Sequence, residues 1–270
     1  MDVNAVVAIA QQAGVLAEKL QSDLTVTRKQ DNSMLTQADL EVSKFIIKEL
    51  TALFPEDVVF TEEHQREVDW TGRVWVVDPI DGTSNYAKGE DGWAISIGLV
   101  EKSQPLFGLI LAPRMNMIAW AEKGRGAYLN KERIAVTKTS DMNSASAYVT
   151  LTQNRRKIVH QLKEPEEHPY SAVLKLVFVA AGKADAYVHL RNRLHKWDTA
   201  AGHIILEEAG GKISSVTGQA LDYTQEGTRW QTGVIASNGA LQTDLTTLFS
   251  SETARSSKTP SQTNTTDTPR

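Results

Sequence analysis

The chain has 270 residues, of which 41% are hydrophobic and 23% are charged, and its formal net charge is -4. This composition is that of an ordinary globular protein with one large core or two halves that share an interface. The acidic balance gives no basic surface for nucleic acid, the absence of cysteine excludes disulfides and thiolate metal sites, and no apolar run is long enough for a membrane span. Asp2 stands where a secretory signal would carry positive charge, so we expect a cytoplasmic protein.

The N-terminal region is predicted to begin with two helices. Apolar residues recur at helical spacing over residues 3–20 and again over Gln37–Phe54. Two short strands rich in β-branched residues follow at Val58–Thr61 and Val74–Val77. Each strand leads into carboxylates, so the ends of these strands are the first place to expect a site.

The rest of the chain shows two patterns. Four strands separated by glycine, proline and charged turns predict an antiparallel sheet, and the later strands alternate with helices, which indicates an α/β half. The four strands are expected at Ala94–Val100, Leu106–Leu111, Met117–Ala121 and Ala127–Leu129. The later elements are expected as strands at Tyr148–Leu151, Ala184–Val188, Lys212–Ser214 and Val234–Ser237 and as helices at Arg155–Leu162, Ser171–Ala181, Asp198–Ala209 and Ala240–Phe249.

We therefore expect an N-terminal α+β half over residues 1–133 and a C-terminal α/β half over residues 134–250. Residues 251–270 contain no large apolar side chain and cannot bury enough surface to order themselves. This tail is expected to be disordered.

The segment Trp75–Lys88 carries the clearest chemical signal, and its sequence is WVVDPIDGTSNYAK. A strand runs into two carboxylates, Asp78 and Asp81, and Pro79 restricts the backbone between them. Carboxylate oxygens are the ligands that hard cations such as Mg²⁺ prefer, and Gly82 lets backbone amides approach an anion. Asp-Pro and Asp-Gly pairs are also ordinary turn formers, so the segment alone leaves both interpretations open.

Three further acidic positions stand at predicted strand ends or helix starts. Glu62 and Glu63 follow one strand, Asp198 opens a helix, and Asp39 comes three residues after Thr36. Each has a structural alternative: a solvated turn for the glutamates, an N-cap for Asp198 and a capping box for Asp39. Taken one at a time, these acids favour the structural interpretation.

Taken together, the acidic motifs resemble those of the inositol monophosphatase superfamily, a group of Mg²⁺-dependent, lithium-sensitive phosphomonoesterases. The resemblance covers about residues 3–249 and rests on the order and spacing of three segments. They are Glu62–Glu63, the run WVVDPIDGTSNY from Trp75 and the run WDTAAGHIILEEAGG from Trp197. The resemblance implies a layered αβαβα sandwich, the sugar-phosphatase fold, which agrees with the α+β and α/β halves.

The resemblance also implies a role for each motif residue. Two or three Mg²⁺ ions would be held by Glu62, Asp78, Asp81, Asp198 and the backbone carbonyl of Ile80. Thr83 and Asp39, with Glu62, would orient and activate the attacking water, and the backbone at Gly82 and Thr83 would hold the phosphate. The expected reaction is hydrolysis of a small phosphate ester by in-line attack of a metal-activated water.

Two segments favour a nucleotide as the substrate. Residues 174–189 and 195–203 resemble the branch of 3'(2'),5'-bisphosphate nucleotidases, which implies 3'-phosphoadenosine 5'-phosphate as the lead substrate. The basic residues that could meet its second phosphate are Lys175, Arg155, Arg156, His195 and Lys196. Lys175 can equally snorkel from an apolar helix, and the two arginines can be an exposed pair. Lys29 matches a basic position near the site or a solvated turn.

Other segments favour a different ester. Thr83–Tyr86 and Gly233–Ala240 are nearer the inositol monophosphatase pattern, so inositol 1-phosphate is the alternative substrate. A more remote alternative is a non-catalytic binding protein on the same fold, which the complete set of motif acids disfavours. The resemblance is also compatible with a homodimer.

Overall fold

The computed structural model of the protein describes residues 1–22, 26–28, 34–150, 162–163 and 170–256. Its first helix forms as the apolar spacing predicts, because Val6, Ala10 and Ala13 lie on one fully buried face. In chain order the helices are α1 (Val3–Gln21), α2 (Gln37–Leu53), α3 (Thr83–Lys88), α4 (Ala172–Ala180), α5 (Lys196–Glu208) and α6 (Gln242–Ser256). The strands are β1 (Val26–Arg28), β2 (Met34–Thr36), β3 (Val58–Thr61), β4 (Arg73–Asp81), β5 (Ala94–Glu101), β6 (Gln104–Ala112), β7 (Met117–Glu122), β8 (Ala127–Leu129), β9 (Glu132–Ile134), β10 (Ala147–Thr150), β11 (Ala186–His189), β12 (Lys212–Ser215) and β13 (Val234–Ser237).

The larger sheet brings two of the acidic motifs to one edge. Its seven strands follow the order β3-β4-β5-β6-β7-β8-β9, and every pair after β3–β4 is antiparallel, as predicted for the middle block. β3 and β4 are parallel, with Thr61 opposite Val77. Because parallel strands end at the same edge of a sheet, the residues that follow them lie side by side. The backbone N–H of Glu62 accordingly donates to the carbonyl of Val77 at 3.1 Å.

The smaller sheet belongs to the C-terminal region, where strands and helices alternate as predicted. Its four strands follow the order β10-β11-β13-β12. β10 and β11 are parallel, and β13 is antiparallel to both of its neighbours.

Helices and sheets stack in five layers. α1 and α2 pack on one face of the seven-stranded sheet, where Val42 and Trp75 belong to one buried cluster. α4 and α5 lie between the sheets, and Val76 and Ile204 share a second cluster there. α6 covers the remaining face of the four-stranded sheet through Leu245. The αβαβα sandwich is therefore confirmed.

The two predicted halves share this core, because α5 contacts β4, β5, β6 and β7 of the N-terminal sheet. The boundary between residues 133 and 134 stays a proposal. The hairpin of β1 and β2 and the three-residue β9 were not predicted, because elements of this length show no apolar period.

Three predicted segments extend outside the described residues, and the first is the strand Tyr148–Leu151, whose last residue lies there. The helix expected over Arg155–Leu162 lies there except for its last residue. α6 continues beyond the predicted end at Phe249 to Ser256, and residues 257–270 lie outside, so disorder of the tail stays a prediction. Across the described ranges, no helix combines the length and apolar character that crossing a membrane requires.

Candidate active site

A β-bulge turns two aspartates to the same side of the larger sheet. The sequence predicted that β4 ends at Val77. In the structure the strand continues to Asp81. Asp78 and Asp81 are three positions apart, so a regular strand would point them to opposite faces. The pairing with β5 shifts between them, with Asp78 opposite Ser96 and Asp81 opposite Ala94. Three steps on β4 therefore face two on β5, which returns both carboxylates to one side.

Two helix starts supply further carboxylates. Asp39 and Asp198 each occupy the third position of a helix and complete a capping box. The Oδ2 atom of Asp39 accepts a hydrogen bond from the backbone N–H of Thr36 at 2.7 Å. The Oδ2 atom of Asp198 likewise accepts one from the backbone N–H of His195. The structural alternative proposed for these two acids is thus present, and it fixes where their carboxylates lie.

The strand carboxylates are also anchored by backbone N–H groups. The N–H of Ile80 donates to Oδ1 of Asp78 at 3.0 Å. The N–H of Val173, in the first turn of α4, donates to Oδ2 of Asp81 at 2.7 Å. The helix between the two sheets is thereby connected to the bulge of β4.

These anchors hold a compact group of like charges. Carboxylate oxygens of Asp78, Asp81 and Asp198 lie within 4.8 Å of one another, and all three residues are buried. Burial, and then the neighbouring carboxylates beginning with Glu62, raise the pKa of Asp78 well above its usual value. Burial also raises the pKa of Asp81, against the opposing effect of the N–H of Val173. Buried like charges of this kind require a proton or a cation, and an all-oxygen donor set suits a hard divalent metal.

Thr83 lies between the carboxylate cluster and Asp39. Its Oγ1 atom is 3.4 Å from Oδ1 of Asp39 and 3.2 Å from the carbonyl oxygen of Ile80. Asp39 is 2% exposed, and its other oxygen serves the capping box. One buried carboxylate therefore caps α2 and positions the hydroxyl of Thr83 at once.

The backbone conformation at position 82 requires a glycine. Its φ is +90°, and a Cβ atom built there would lie 2.9 Å from Cβ of Ser171 and 3.0 Å from the carbonyl oxygen of Gly92. A larger residue would strain the backbone and push the start of α3 away from β5 and α4.

A cavity of about 480 Å³ opens over the carboxylate cluster, a size within the range of small-molecule sites. Most of the residues predicted for the site line it. These are Glu62, Asp78, Ile80, Asp81, Gly82, Thr83, His195 and Asp198. Asp39 lies behind this lining and reaches it through Thr83.

The residues predicted for substrate contact have different positions. His195 lines the cavity with its ring stacked 4.3 Å from Trp197. Lys175 is half-buried near Asp81 and is not among the described lining residues. Burial lowers the pKa of its ammonium against the opposing charge of that carboxylate. Lys196 is fully buried, 3.8 Å over the ring of Trp70, and is not among the described lining residues. Arg155, Arg156 and Lys29 lie outside the described residues.

The sequence did not single out three residues of the cavity lining, Asn192, Arg193 and Arg229. Arg193 precedes the Trp197 motif by a few residues and could have been noticed for that reason. Arg229 carried no such signal, because its position depends on a contact between chain segments that are distant in the sequence.

The chain is similar in sequence to known phosphatases. The model of the inositol monophosphatase family matches residues 2–254. The inositol-1-monophosphatase of Bacillus subtilis is 32% identical over 229 residues, which cover 80% of this chain and 85% of the relative. A 3'(2'),5'-bisphosphate nucleotidase of Aggregatibacter actinomycetemcomitans is 33% identical over 235 residues, which cover 82% and 86%.

Solved structures agree with this result. The structure of the IMPase of Thermotoga maritima superposes with a TM-score of 0.82 at 26% identity and covers 94% of this chain and 99% of that chain. The fold and a family match that spans nearly the whole sequence lead to one conclusion. This chain belongs to the inositol monophosphatase family and is a phosphatase.

Proposed function

We propose that the protein is an Mg²⁺-dependent phosphomonoesterase that hydrolyses 3'-phosphoadenosine 5'-phosphate. The observation that carries the metal dependence is the buried group Asp78, Asp81 and Asp198. With Glu62 and the carbonyl of Ile80, it would hold two or three Mg²⁺ ions. When bound, these ions would lower the pKa of a water molecule and neutralise phosphate oxygens.

Thr83 would position the attacking water. Its hydroxyl can donate to Asp39 at 3.4 Å and accept a hydrogen bond from water at the same oxygen. Asp39 is buried and would accept the proton that Thr83 passes on, with Glu62 as a second base at the cavity wall. The backbone at Gly82 and Thr83 would hold the phosphate at the start of α3.

The nucleotide is favoured over inositol 1-phosphate by basic groups near the phosphate site. Lys175 holds a half-buried ammonium near Asp81, outside the described cavity lining, and His195 presents an imidazole in that lining. An uncharged inositol ring would leave the ammonium without an anionic partner beyond Asp81. Lys196 donates instead to the carbonyl of Gln225 at 2.9 Å, so its geometry gives it a packing role.

The decisive assay compares phosphate release from 3'-phosphoadenosine 5'-phosphate and inositol 1-phosphate with Mg²⁺ under identical conditions. We expect a higher kcat/KM for the nucleotide. Lys175→Met should lower kcat/KM for the nucleotide by about tenfold, as loss of a charged hydrogen bond does, and should lower kcat/KM for the inositol ester by less. A higher kcat/KM for inositol 1-phosphate in the unmodified protein would establish the alternative substrate.

The role of Thr83 has its own test. Thr83→Ala should lower kcat by about 100-fold or more, the usual contribution of a positioned proton-transfer group, and Thr83→Ser should restore much of it. Thr71→Ala is a matched control, because Thr71 also donates its hydroxyl to an aspartate, Asp69 at 2.6 Å, on the exposed surface. Near-normal kcat in Thr83→Ala would exclude the hydroxyl from the reaction. Cytoplasmic location, lithium sensitivity and a homodimer stay predictions.

A further inference from the structure

One part of the cavity lining is basic and takes no part in the carboxylate cluster. It consists of Asn192 and Arg193, in the loop between β11 and α5, and of Arg229. We call these three residues the basic wall. All three are exposed, so a ligand in the cavity can reach them.

Backbone hydrogen bonds fix the basic wall at the cavity. The N–H of Lys196 donates to the carbonyl of Thr228 at 2.8 Å, and the N–H of Trp230 donates to the carbonyl of Leu194 at 2.9 Å. Arg229 is thereby paired with His195 at the start of α5. Because Asp198 belongs to the same helix start, the arginine and the metal-site carboxylate share one rigid support.

The two guanidinium groups are available for a ligand. Arg73 and Arg114 elsewhere in the chain form ion pairs with Asp57 and Asp91. Neither Arg193 nor Arg229 forms an ion pair with a carboxylate in the part of the chain that the structure describes. Two cationic forks therefore face the same cavity as the phosphate site.

Building on the proposed phosphatase function, we propose that Arg193 and Arg229 select phosphate esters that bear a second anionic group. The carboxylate cluster would hold the cations that neutralise the scissile phosphate, and the second anionic group would bind at the basic wall. A planar guanidinium binds phosphate through two parallel hydrogen bonds, which an uncharged hydroxyl group cannot reproduce. The arginines are specificity residues, and they have no part in breaking the phosphate ester.

The test uses two substrate pairs that differ only in the second phosphate. The first pair is 3'-phosphoadenosine 5'-phosphate and adenosine 3'-monophosphate, and the second is fructose 1,6-bisphosphate and fructose 1-phosphate. Initial rates with Mg²⁺ are measured for the unmodified protein, Arg193→Gln, Arg229→Gln and the double variant. Arg125→Gln is the control, because Arg125 is exposed and pairs with Glu122 away from the cavity.

We expect the unmodified protein to prefer the bisphosphate in at least one pair. The double variant should lower this preference by about 10- to 100-fold, the effect of one or two charged hydrogen bonds, because kcat/KM for the bisphosphate falls far more than kcat/KM for the monophosphate. Raising the salt concentration should weaken the preference in the unmodified protein. Binding of each ligand, measured by calorimetry in a Thr83→Ala background, should show the same loss without turnover.

The inference is wrong if the unmodified protein prefers neither bisphosphate, or if the preference survives in the double variant. These results can be distinguished from the result that 3'-phosphoadenosine 5'-phosphate is not the substrate. A preference for fructose 1,6-bisphosphate that the double variant loses, in a protein with no activity on 3'-phosphoadenosine 5'-phosphate, would exclude the nucleotide and still support the basic wall. Activity with inositol 1-phosphate alone would exclude both.

Discussion

Replacing Asp78 with asparagine should inactivate the enzyme and stabilise the metal-free protein. The substitution removes one charge from three carboxylates whose oxygens lie within 4.8 Å of one another. At that separation each like-charged pair costs about 3.5 kcal/mol at an effective dielectric constant of 20. Asparagine keeps an acceptor for the N–H of Ile80, which donates to Oδ1 of Asp78 at 3.0 Å. Its amide can also donate to the carboxylates that remain.

Protonation limits how much stability the substitution can restore. The pKa of Asp78 is raised by burial and by the neighbouring carboxylates from an ordinary value of 3.8. If Asp78 stays protonated in the folded protein at pH 7, while its ordinary pKa of 3.8 applies in the unfolded chain, the cost is about 4 kcal/mol, at 1.36 kcal/mol per pH unit. We therefore expect Asp78→Asn to raise the free energy of unfolding in EDTA by about 1 to 4 kcal/mol. The melting temperature should rise by roughly 3 to 10 °C.

The gain should depend on pH in a defined direction. A raised pKa means that the folded protein binds more protons than the unfolded chain between pH 3.8 and the raised value. The contribution of Asp78 to the stability of the metal-free protein is therefore greatest below pH 3.8, and it falls as the pH rises through that window. The advantage of Asp78→Asn should be small near pH 4 and largest near pH 7. Groups far from Asp78 titrate equally in both proteins, so the difference between the proteins reports Asp78 together with the carboxylates coupled to it.

Urea unfolding in EDTA at several pH values, repeated with Mg²⁺, measures these effects. Mg²⁺ should stabilise the unmodified protein, by about 2.7 kcal/mol at 100 times its dissociation constant, and should stabilise the variant far less. Asp91→Asn is the control, because Asp91 is exposed and its loss should change stability by less than about 0.5 kcal/mol. An Asp78→Asn protein less stable than the unmodified one in EDTA at pH 7 would refute the repulsion argument.

Two further predictions concern the surroundings of the site. In urea unfolding, Gly82→Ala should lower the free energy of unfolding by about 1 to 3 kcal/mol more than Gly89→Ala does. Both glycines have a positive φ, but of the two only Gly82 has atoms within 3.0 Å of an added Cβ. Equal losses of stability in the two variants would contradict this. Burial, with Lys175 and two arginines, lowers the pKa of His189 to about 4, so stability should fall by up to about 3 kcal/mol as pH drops from 6.5 to 4. His189→Gln should flatten this decline, and an unchanged slope would exclude His189 as its source.

Local patterns were sufficient for some of the fold and some of the site. The strand Val58–Thr61 was predicted residue for residue, because a short β-branched run stands between a proline turn and two acids. The capping box of Thr36 and Asp39 was also visible at its three-residue spacing. In both cases the deciding interaction lies within a few positions of the chain.

Other features depended on contacts that no local pattern records. In a regular strand, Asp78 and Asp81 would point to opposite faces of the sheet. The pairing with β5 contains the bulge that brings both side chains to the same face. The place of Arg229 depends on its pairing with His195, more than 30 residues earlier. The sequence predicted Lys196, two residues before Asp198, as a cation that contacts the substrate. In the structure its side chain is buried against the ring of Trp70.

The way in which the acids are anchored explains how the charge cluster is held in place and still suits a metal. Four aspartates each accept a hydrogen bond from one backbone N–H, and the acceptors are Asp39, Asp78, Asp81 and Asp198. A lysine or arginine in the same place would fix the carboxylate equally well, but its charge would compensate the negative charge and compete with a cation. A neutral N–H donor fixes a carboxylate without cancelling its charge, and at Asp39 the second oxygen faces the hydroxyl of Thr83. Since three of these donors belong to helix starts, the same hydrogen bonds that begin α2, α4 and α5 also preorganise the site.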